Sequence, residues 1–202
     1  MPIHKSRGRP RGVDSADTRK KIINAARIEF ANKGFDGAAI SAIAESAHLA
    51  PSAIYHYYQS KEKLYEEVFE DTANIIWSDV NTQLDEETLT IAIEKVVRLT
   101  NELIEQLPDY SDFMAAVPVE ARIHPEFAKL LPRRTDYQNV TFRALARLGI
   151  KTGEISFLSE DEATEFLRSV LMGWYFERHF RKYEMPLSLE SILKVFTVLS
   201  EH

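Results

Sequence analysis

The side chains best suited to contact a charged partner lie between residues 51 and 61. Tyr55 carries a phenolic donor at the end of an apolar body, and Lys61 carries a positive charge. Ser52 and His56 add short polar groups. Hydroxyl and ammonium donors contact phosphate oxygens, and short polar groups reach base edges. These residue types therefore predict an interface with nucleic acid rather than bond-breaking chemistry.

Two short helices joined by a tight turn are expected to position these side chains. Pro51 suits the first position of the second helix, because its φ is already helical and its missing N–H is not needed there. Apolar or small residues fall where the two helices would meet: Ile43, Ala44, Ala47, Leu49, Ile54 and either Tyr57 or Tyr58. Residues 40–61 thus predict a helix-turn-helix whose second helix can enter a major groove.

The flanking sequence makes this region resemble a known family. The run T-R-x-x-I-I-x-A-A-x-x-x-F-A-x-K-G-F precedes the unit, and S-K-E-K-L-Y follows it. Residues 18–69 therefore resemble the DNA-binding domain of the tetracycline-repressor family of bacterial one-component regulators. The resemblance implies that Tyr55 and Lys61 contact the DNA backbone. The expected DNA-binding residues are Arg7, Arg9, Arg11, Ser41, Pro51, Ser52, Ala53, Tyr55, His56, Tyr57 and Lys61.

Some positions depart from the usual pattern of that family. His48 stands where the turn often has Gly, and His is among the non-Gly types that tolerate positive φ. Ala50 replaces the usual hydroxyl cap, so the second helix is expected to begin without a side-chain acceptor, which costs about 1 kcal/mol. Ala38, Ala39 and Ala53 stand where Ser or Thr commonly reach DNA. These differences concern individual contacts and not the fold.

Charge is distributed unevenly along the chain. Residues 1–63 hold 11 Lys and Arg against 6 Asp and Glu, a net charge of +5, whereas residues 64–202 hold 14 against 25, a net charge of −11. Such an asymmetry is typical when one end of a chain meets a polyanion. Arg7, Arg9 and Arg11 lie among Gly and Pro in a segment that cannot bury a core. It is either a solubilising tail or an arm that follows phosphates or enters a minor groove.

Composition excludes several classes of protein. The chain has 202 residues, of which 45% are hydrophobic and 28% charged, as in ordinary globular domains. It contains no cysteine, which excludes disulfides, thiolate catalysis and Cys-based zinc sites. The basic N-terminal residues lack the following apolar region of a secretory signal. No stretch approaches the roughly 18 apolar residues of a membrane span. A soluble, cytoplasmic protein is expected.

Helical periodicity predicts an all-α protein of about nine helices. The expected organisation is a flexible basic arm (1–13), a three-helix helix-turn-helix domain (14–66) and a helical ligand-binding and dimerisation domain (67–202). Gly34 is expected to end the first helix and Gly149 a later one. Ser159 and Glu162 form a capping box for a helix that reaches about residue 182, and a last helix begins near residue 186. Three prolines are expected to end or break helices: Pro108, Pro118 and Pro132.

Large apolar side chains in the second domain either form ordinary core or line a cavity. They are Trp77, Tyr110, Phe113, Met114, Phe127, Tyr137, Phe142, Trp174 and Tyr175. The family resemblance implies a small-molecule pocket in this domain, and the aromatic lining favours an apolar or amphipathic effector. Charged residues that would form its polar end, or else lie in solvent, are Glu120, Arg122, His124, Arg143 and Arg147.

The last two long helices are expected to form a homodimer interface. Its expected residues are Phe166, Val170, Ile192, Phe196 and Leu199. One short helix reads too few base pairs for specificity, so two units are needed about 34–36 Å apart. The resemblance implies a dimer that binds a palindromic operator as a repressor and is released when a ligand shifts the fourth helix.

An enzyme and a lipid-associating protein are the alternatives. No G-x-S-x-G, H-E-x-x-H, P-loop or Rossmann glycine run occurs. Glu120 and His124 are four residues apart, but two ligands do not make a metal site. A helical small-molecule or lipid-binding protein without specific DNA binding would fit the basic arm and leave Tyr55 and Lys61 unexplained. No cofactor, metal or membrane partner is predicted.

Overall fold

All secondary structure in the described part of the chain is helical, as predicted. The computed structural model describes residues 11–82, 88–180, 191 and 194, with the backbone only for 11–14 and 79–82. The α-helices within these ranges are α1 (Arg11–Gly37), α2 (Ile40–Ser46), α3 (Pro51–Tyr57), α4 (Lys61–Thr82), α5 (Leu89–Gln106), α6 (Pro108–Ile123), α7 (Leu130–Thr152) and α8 (Glu160–Phe180), with a 3₁₀ helix at Pro125–Phe127. Of the ninth helix expected after residue 186, only Ser191 and Lys194 are described, and both are helical; the rest lies outside the described residues.

The contacts divide the chain into two units, Met1–Val68 and Phe69–His202. In the first unit, α2 packs on both α1 and α3. In the second, α7 packs along α8, and α5 packs on α6 and α7. Among the helices described, none is both long and apolar enough to cross a membrane.

An aromatic cluster forms the core of the first unit where α1 ends. The ring of Tyr65 on α4 lies edge-on to Phe30 at 5.0 Å and to Phe35 at 5.6 Å between centroids. Gly34 interrupts α1 between these two phenylalanines with φ 68° and ψ 179°. The predicted break at Gly34 is therefore confirmed, and it turns Phe35 back into the core, where only 5% of it is exposed.

Two prolines do not break helices as expected. Pro118 lies inside α6, which continues to Ile123 instead of ending at residue 117. Phe113, Met114, Val117 and Ala121 bury the face of α6 on both sides of the proline, so packing outweighs the lost main-chain hydrogen bond. Pro132 is the third residue of α7, where the N–H has no intrahelical partner in any case.

Gly149 does not cap α7 as expected. The helix continues to Thr152, and Gly153 is the C-cap with a left-handed φ of 81°. Gly149 is instead buried inside α7, where an added Cβ would lie 2.7 Å from Leu89 Cδ2 and 2.9 Å from Ile155 Cδ1. An added side chain would displace these terminal methyl groups, so the glycine favours close packing of α7 against Leu89 and Ile155.

The capping box at the start of α8 is confirmed. The Ser159 main-chain N–H donates to Glu162 Oε2 at 2.9 Å, and the Glu162 N–H donates to Ser159 Oγ at 3.4 Å. These reciprocal bonds occupy two N–H groups that a helix start leaves without intrahelical partners. The hydrogen bonds from Ser159 also lower the pKa of Glu162.

A carboxylate from the loop after α7 caps the N-terminus of α5. Glu154 Oε2 accepts the Leu89 N–H at 2.7 Å and the Thr152 hydroxyl at 2.6 Å. Glu154 Oε1 accepts the Thr90 N–H at 3.0 Å and the Thr90 hydroxyl at 2.8 Å. Burial acts to raise the pKa of Glu154, but these hydrogen bonds outweigh it and hold the pKa below its usual value. The charged carboxylate thus ties α5 to the end of α7.

We expect Glu154→Gln to lower the free energy of unfolding at pH 7 by about 1–2 kcal/mol, because an amide N–H₂ then faces donors. A carboxyl pKa lowered by folding stabilises the protein above its unfolded value of about 4.3, and this contribution is lost as the pH falls through the folded pKa. The difference from wild type should therefore shrink between pH 5 and pH 3 in urea unfolding followed by circular dichroism. Glu94→Gln, an exposed change on α5, is the control. A difference independent of pH would contradict the charged cap.

Candidate nucleic-acid interface and ligand cavity

The turn between α2 and α3 has the geometry of a helix-turn-helix. Ile43, Ala44 and Ile54 are each 1% exposed or less, so the two helices meet through small and branched apolar groups. The Leu49 N–H donates to the Ala44 carbonyl at 2.8 Å and closes the end of α2. His48 has φ 58°, which places a non-Gly residue at the left-handed position of the turn.

One face of α3 is open to solvent. Ser52, Tyr55 and His56 are exposed, and Tyr55 is 55% exposed. The rings of His56 and Tyr57 are in edge-on contact at 5.6 Å. Tyr58, rather than Tyr57, is the buried tyrosine of the unit. The exposed residues recur at helical spacing, so α3 presents one continuous polar and aromatic surface.

The start of α3 lacks a side-chain cap, as predicted. Ala50 is the N-cap with extended backbone, and Pro51 occupies the first turn. Ser41 and Pro51 are exposed next to the polar face, while Ala53 is partly buried. Arg7 and Arg9 lie outside the described residues, and only the backbone of Arg11 is described. The expected contribution of these arginines stays a prediction.

Lys61 holds the first unit together at the start of α4. Its Nζ donates to the carbonyl oxygens of Phe35 at 2.7 Å and Ala38 at 3.0 Å, and lies 3.5 Å from that of Asp36. The same ammonium lies 4.5 Å from the centroid of the Phe35 ring. An ammonium has three donors, and these carbonyls occupy them. In this structure Lys61 therefore positions the connection between α1 and α2, a role that the sequence alone did not suggest.

Other cations of the first unit remain available to a polyanion. Lys20 and Lys21 are exposed in the first half of α1 and form no ion pair in the described part of the chain. Lys63, by contrast, pairs with Glu66 at 2.9 Å. The exposed lysines of α1 are the kind of groups that neutralise backbone phosphates.

The second unit contains a cavity of about 290 Å³ between its helices. Five of the predicted lining residues border it: Trp77, Met114, Phe142, Trp174 and Tyr175. Further lining comes mainly from apolar residues of α4, α5 and α8, such as Ile75, Ile76, Val96, Val97, Leu103 and Leu171. A void of this size is near the lower end of the range for small-molecule pockets, which is roughly 300–1,000 Å³.

Four predicted lining residues lie elsewhere. Phe113 and Phe127 are at most 1% exposed and belong to the core. Tyr137 donates a hydrogen bond to Glu70 Oε2 at 2.8 Å, and its ring meets Phe69 at 6.4 Å. Burial raises the pKa of Tyr137, and the hydrogen bond to Glu70 and the charge of Glu70 raise it further. Neither Tyr137 nor the partly buried Tyr110 borders the cavity. An aromatic residue type predicts burial and does not distinguish core from cavity wall.

The charged residues expected at the polar end of the cavity are also elsewhere. Arg143 and Arg147 both pair with Glu160, at 3.3 and 3.0 Å. His124 Nε2 lies 3.4 Å from Glu120 Oε2. The described residues contain no cluster of three or more metal-ligating side chains. Arg134 and Gln138 supply the polar wall instead. Arg134, Gln138 and Phe142 are spaced four residues apart, which places them on one face of α7. This spacing was the signal in the sequence that could have identified the polar wall.

A buried polar network adjoins the cavity. The Tyr175 hydroxyl donates to the Ser111 carbonyl at 3.0 Å and lies 3.0 Å from Ser111 Oγ. His179 Nδ1 also lies 3.0 Å from Ser111 Oγ, and its Nε2 lies 3.3 Å from Asp112 Oδ1. Ser111 is fully buried. These bonds tie α6 to α8 behind the cavity wall, and Tyr175 faces both the network and the cavity.

The predicted dimer residues are only partly within the described chain. Phe166 and Val170 are partly exposed on α8. Gly173 follows on the same side, with open space around it. Phe180 is 67% exposed at the end of the helix. The remaining predicted residues lie outside the described residues: Ile192, Phe196 and Leu199.

The fold and site define an all-α helix-turn-helix protein with an attached cavity-bearing helical unit. Residues 22–68 match the family described as "Bacterial regulatory proteins, tetR family". This region of the chain is therefore similar to the bacterial regulatory proteins of the tetR family. The HTH-type transcriptional regulator UidR of Escherichia coli K12 is 27% identical over 123 residues, which are 60% of this chain and 61% of UidR. The match thus spans less than two thirds of that relative.

Solved structures share the whole fold at low identity. A putative transcriptional regulator from Saccharomonospora viridis, solved with choline, superposes with a TM-score of 0.75 at 19% identity over 93% of this chain and 97% of that one. FadR from Bacillus subtilis, solved with stearoyl-CoA, gives a TM-score of 0.70 at 18% identity over 90% of this chain and 96% of that one. At such identities the similarity establishes the fold alone.

We expect Lys61→Met to lower the stability of the first unit and to weaken duplex DNA binding without changing its salt dependence. Its ammonium is bound to main-chain carbonyls, so its loss displaces the connection between α1 and α2 and removes no phosphate contact. Thermal unfolding and binding isotherms across a salt series measure the two effects. Lys63→Met removes an exposed lysine nearby and is the control. A salt slope lower by about 1 with unchanged stability would assign Lys61 to a phosphate instead.

Proposed function

We propose that this protein is a ligand-responsive DNA-binding transcriptional regulator that acts as a homodimer in the cytoplasm, and not an enzyme. In this proposal the dimer binds a palindromic operator, represses transcription, and is released by a small apolar or amphipathic molecule. The observation that carries the proposal is the exposed polar face of α3 on a buried helix-turn-helix core. The match of residues 22–68 to the tetR family of bacterial regulatory proteins supports the same function.

The DNA-binding part of the proposal rests on the chemistry of α3. Tyr55 supplies a donor for a backbone phosphate, and Ser52 and His56 are the candidates for base edges. Pro51 and Ala53 offer only apolar contact, such as with a thymine methyl group. Lys20 and Lys21 join the set as phosphate contacts from α1, and Lys61 enters it as the residue that positions the connection between α1 and α2.

Two copies of the helix-turn-helix are needed because one α3 contacts too few base pairs for specificity. The partly exposed Phe166 and Val170, the open space at Gly173 and the exposed Phe180 favour α8 as part of the dimer interface. A partly exposed apolar face of this kind is suited to a second copy of the chain. The spacing of two α3 helices across about one DNA turn then sets the operator length.

The ligand response is assigned to the cavity of the second unit. Ile75, Ile76 and Trp77 on α4 line it, and the same helix begins in the first unit at Lys61. A ligand that binds one arrangement of α4 more tightly than another shifts the population toward that arrangement. The size of the response is limited by this difference in affinity. The two solved relatives described above were crystallised with small molecules, which supports such a role for the cavity.

The test is selection of duplexes from random DNA followed by fluorescence-polarisation binding across a salt series. We expect a palindromic site with steep salt dependence. Tyr55→Ala should weaken binding by roughly 10-fold or more, because it removes a charge-assisted hydrogen bond to phosphate. The melting temperature of Tyr55→Ala is the control for general damage to α3, and it should be unchanged because the Tyr55 side chain is 55% exposed.

Two results together would contradict the proposed regulator. No duplex is selected, and Tyr55→Ala binds DNA as weakly as the wild type does. The helix-turn-helix would then be a structural unit. The protein would instead be a helical small-molecule or lipid-binding protein without specific DNA binding.

A further inference from the structure

The wall of the cavity contains a positive charge that the described residues do not neutralise. Arg134 lines the cavity on the same face of α7 as Gln138 and Phe142. Its Nε is buried without a hydrogen-bond partner, and the described part of the chain provides no ion pair to its guanidinium. The contact that the structure shows is with the ring of Phe176, whose centroid lies 5.9 Å from Arg134 Cζ.

Neighbouring arginines differ from Arg134 because each has a partner. Arg133 lies 2.7 Å from Glu70 Oε1. Arg168 pairs with Glu165, and Arg178 Nε donates to Asn101 Oδ1 at 3.1 Å. Pairing is therefore the rule for the arginines near Arg134.

The acid on the cavity wall does not complete the pair. Glu102 is the one carboxylate among the described lining residues, and its Oε1 accepts a hydrogen bond from Arg98 Nη1 at 3.0 Å. Glu102 is 46% exposed, so it lies at the solvent-facing part of the wall. The positive charge of Arg134 thus remains unmatched in the described wall.

Partial burial makes this unmatched charge unfavourable. Desolvation lowers the pKa of Arg134, and the nearby charge of Arg168 lowers it further while Tyr175 opposes the shift. A guanidinium nonetheless stays protonated in proteins. A buried charge without a partner is costly and is usually paired. A ligand with a negative group would supply the missing partner.

The other unsatisfied groups on the wall are donors as well. The indole Nε1 atoms of Trp77 and Trp174 are buried with no hydrogen-bond partner among the described residues. The hydroxyls of the wall are already in use: Thr100 donates to the Val96 carbonyl at 2.8 Å, and Tyr175 donates to the Ser111 carbonyl at 3.0 Å. The wall therefore has spare donors next to apolar surface, and these favour an acceptor with an apolar body.

We infer that the effector of the proposed regulator is an amphipathic organic acid. Its carboxylate binds the guanidinium of Arg134, and its apolar part lies against Trp77, Phe142 and Trp174. The role of this ligand as an effector rests on the proposed function, whereas its chemical class rests on the cavity. A planar guanidinium pairs with a carboxylate through two parallel hydrogen bonds, which gives direction as well as affinity. The cavity volume favours a short- or medium-chain acid.

Such a ligand would connect two helices. Arg134 belongs to α7, and Trp77 belongs to α4. An acid held at Arg134 fixes the direction in which its apolar part points, so a change in the apolar part changes the contact with α4. In this arrangement α7 recognises the charged group of the ligand, and the apolar part of the ligand contacts α4.

The chain offers a direct optical readout. It has two tryptophans, and both line the cavity. Intrinsic fluorescence of the full-length protein therefore reports occupancy of the cavity. The probes are octanoate and 4-phenylbutyrate, each compared with its neutral amide, which keeps the apolar part and removes the charge.

We expect each acid to bind at least 10-fold more tightly than its amide, because the charge-assisted pair is lost in the amide. Arg134→Met should weaken the acid by roughly 10- to 100-fold and the amide by less than about 3-fold. Arg143→Met removes an exposed arginine from the same helix and should leave both affinities unchanged. Arg134→Lys should keep a preference for the acid at reduced affinity, because it retains the charge and loses the planar fork.

Circular dichroism of Arg134→Met guards against misfolding. Removal of an unpaired buried charge should leave its melting temperature unchanged or raise it. If that variant does not fold, the acid-to-amide ratio of wild type and of Arg134→Lys still tests the inference. Equal binding of acid and amide by wild type, or an acid preference that survives in folded Arg134→Met, would overturn it.

The two proposals fail in different ways. If the acids bind as expected and no duplex DNA is selected, the cavity chemistry stands and the regulator does not. If the protein binds DNA, neutral molecules release it, and binding of the acids does not depend on Arg134, the regulator stands and the organic acid does not.

Discussion

The structure depends on a single amphipathic helix that supplies buried side chains to both units. Leu64, Tyr65 and Val68 of α4 are at most 1% exposed in the first unit, and Phe69 and Ala73 are equally buried in the second. Their spacing of three and four residues keeps the apolar stripe continuous along the helix. Because α4 cannot move without disturbing buried groups in one unit or the other, packing restrains it along its whole described length.

The two functional surfaces are built on different principles. The face of α3 is formed by residues close in sequence, and its exposure follows from the burial of Ile54 and Tyr58 on the opposite side. The cavity is formed by five helices, and its wall includes one arginine whose charge the described chain leaves unmatched. Recognition of DNA is proposed to use many weak surface contacts. Recognition of the effector is proposed to use one strong, buried and directional pair.

Lys61 and Gly149 show how tertiary contacts change the meaning of a residue. The charge of Lys61 at a helix start suggested a phosphate contact, yet its ammonium binds main-chain carbonyls 23 and 26 residues away in sequence. Gly149 was expected to cap a helix, yet it lies inside α7, where an added Cβ would displace the terminal methyl groups of Leu89 and Ile155. For Gly149 a distant segment decided between the two roles, whereas contact of Lys61 with DNA stays a prediction beside its bonds to the main chain.

The sequence by itself determined the local features of this protein. The helix-turn-helix, the break at Gly34, the positive φ at His48 and the capping box at Ser159 were all readable, because each depends on groups within about four residues. Tertiary structure decided which aromatic residues border the cavity, that Arg134 is its polar wall, and that Glu154 caps a helix 65 residues away in sequence. These features depend on which helices pack together and at what distance, and local periodicity carries no information about either.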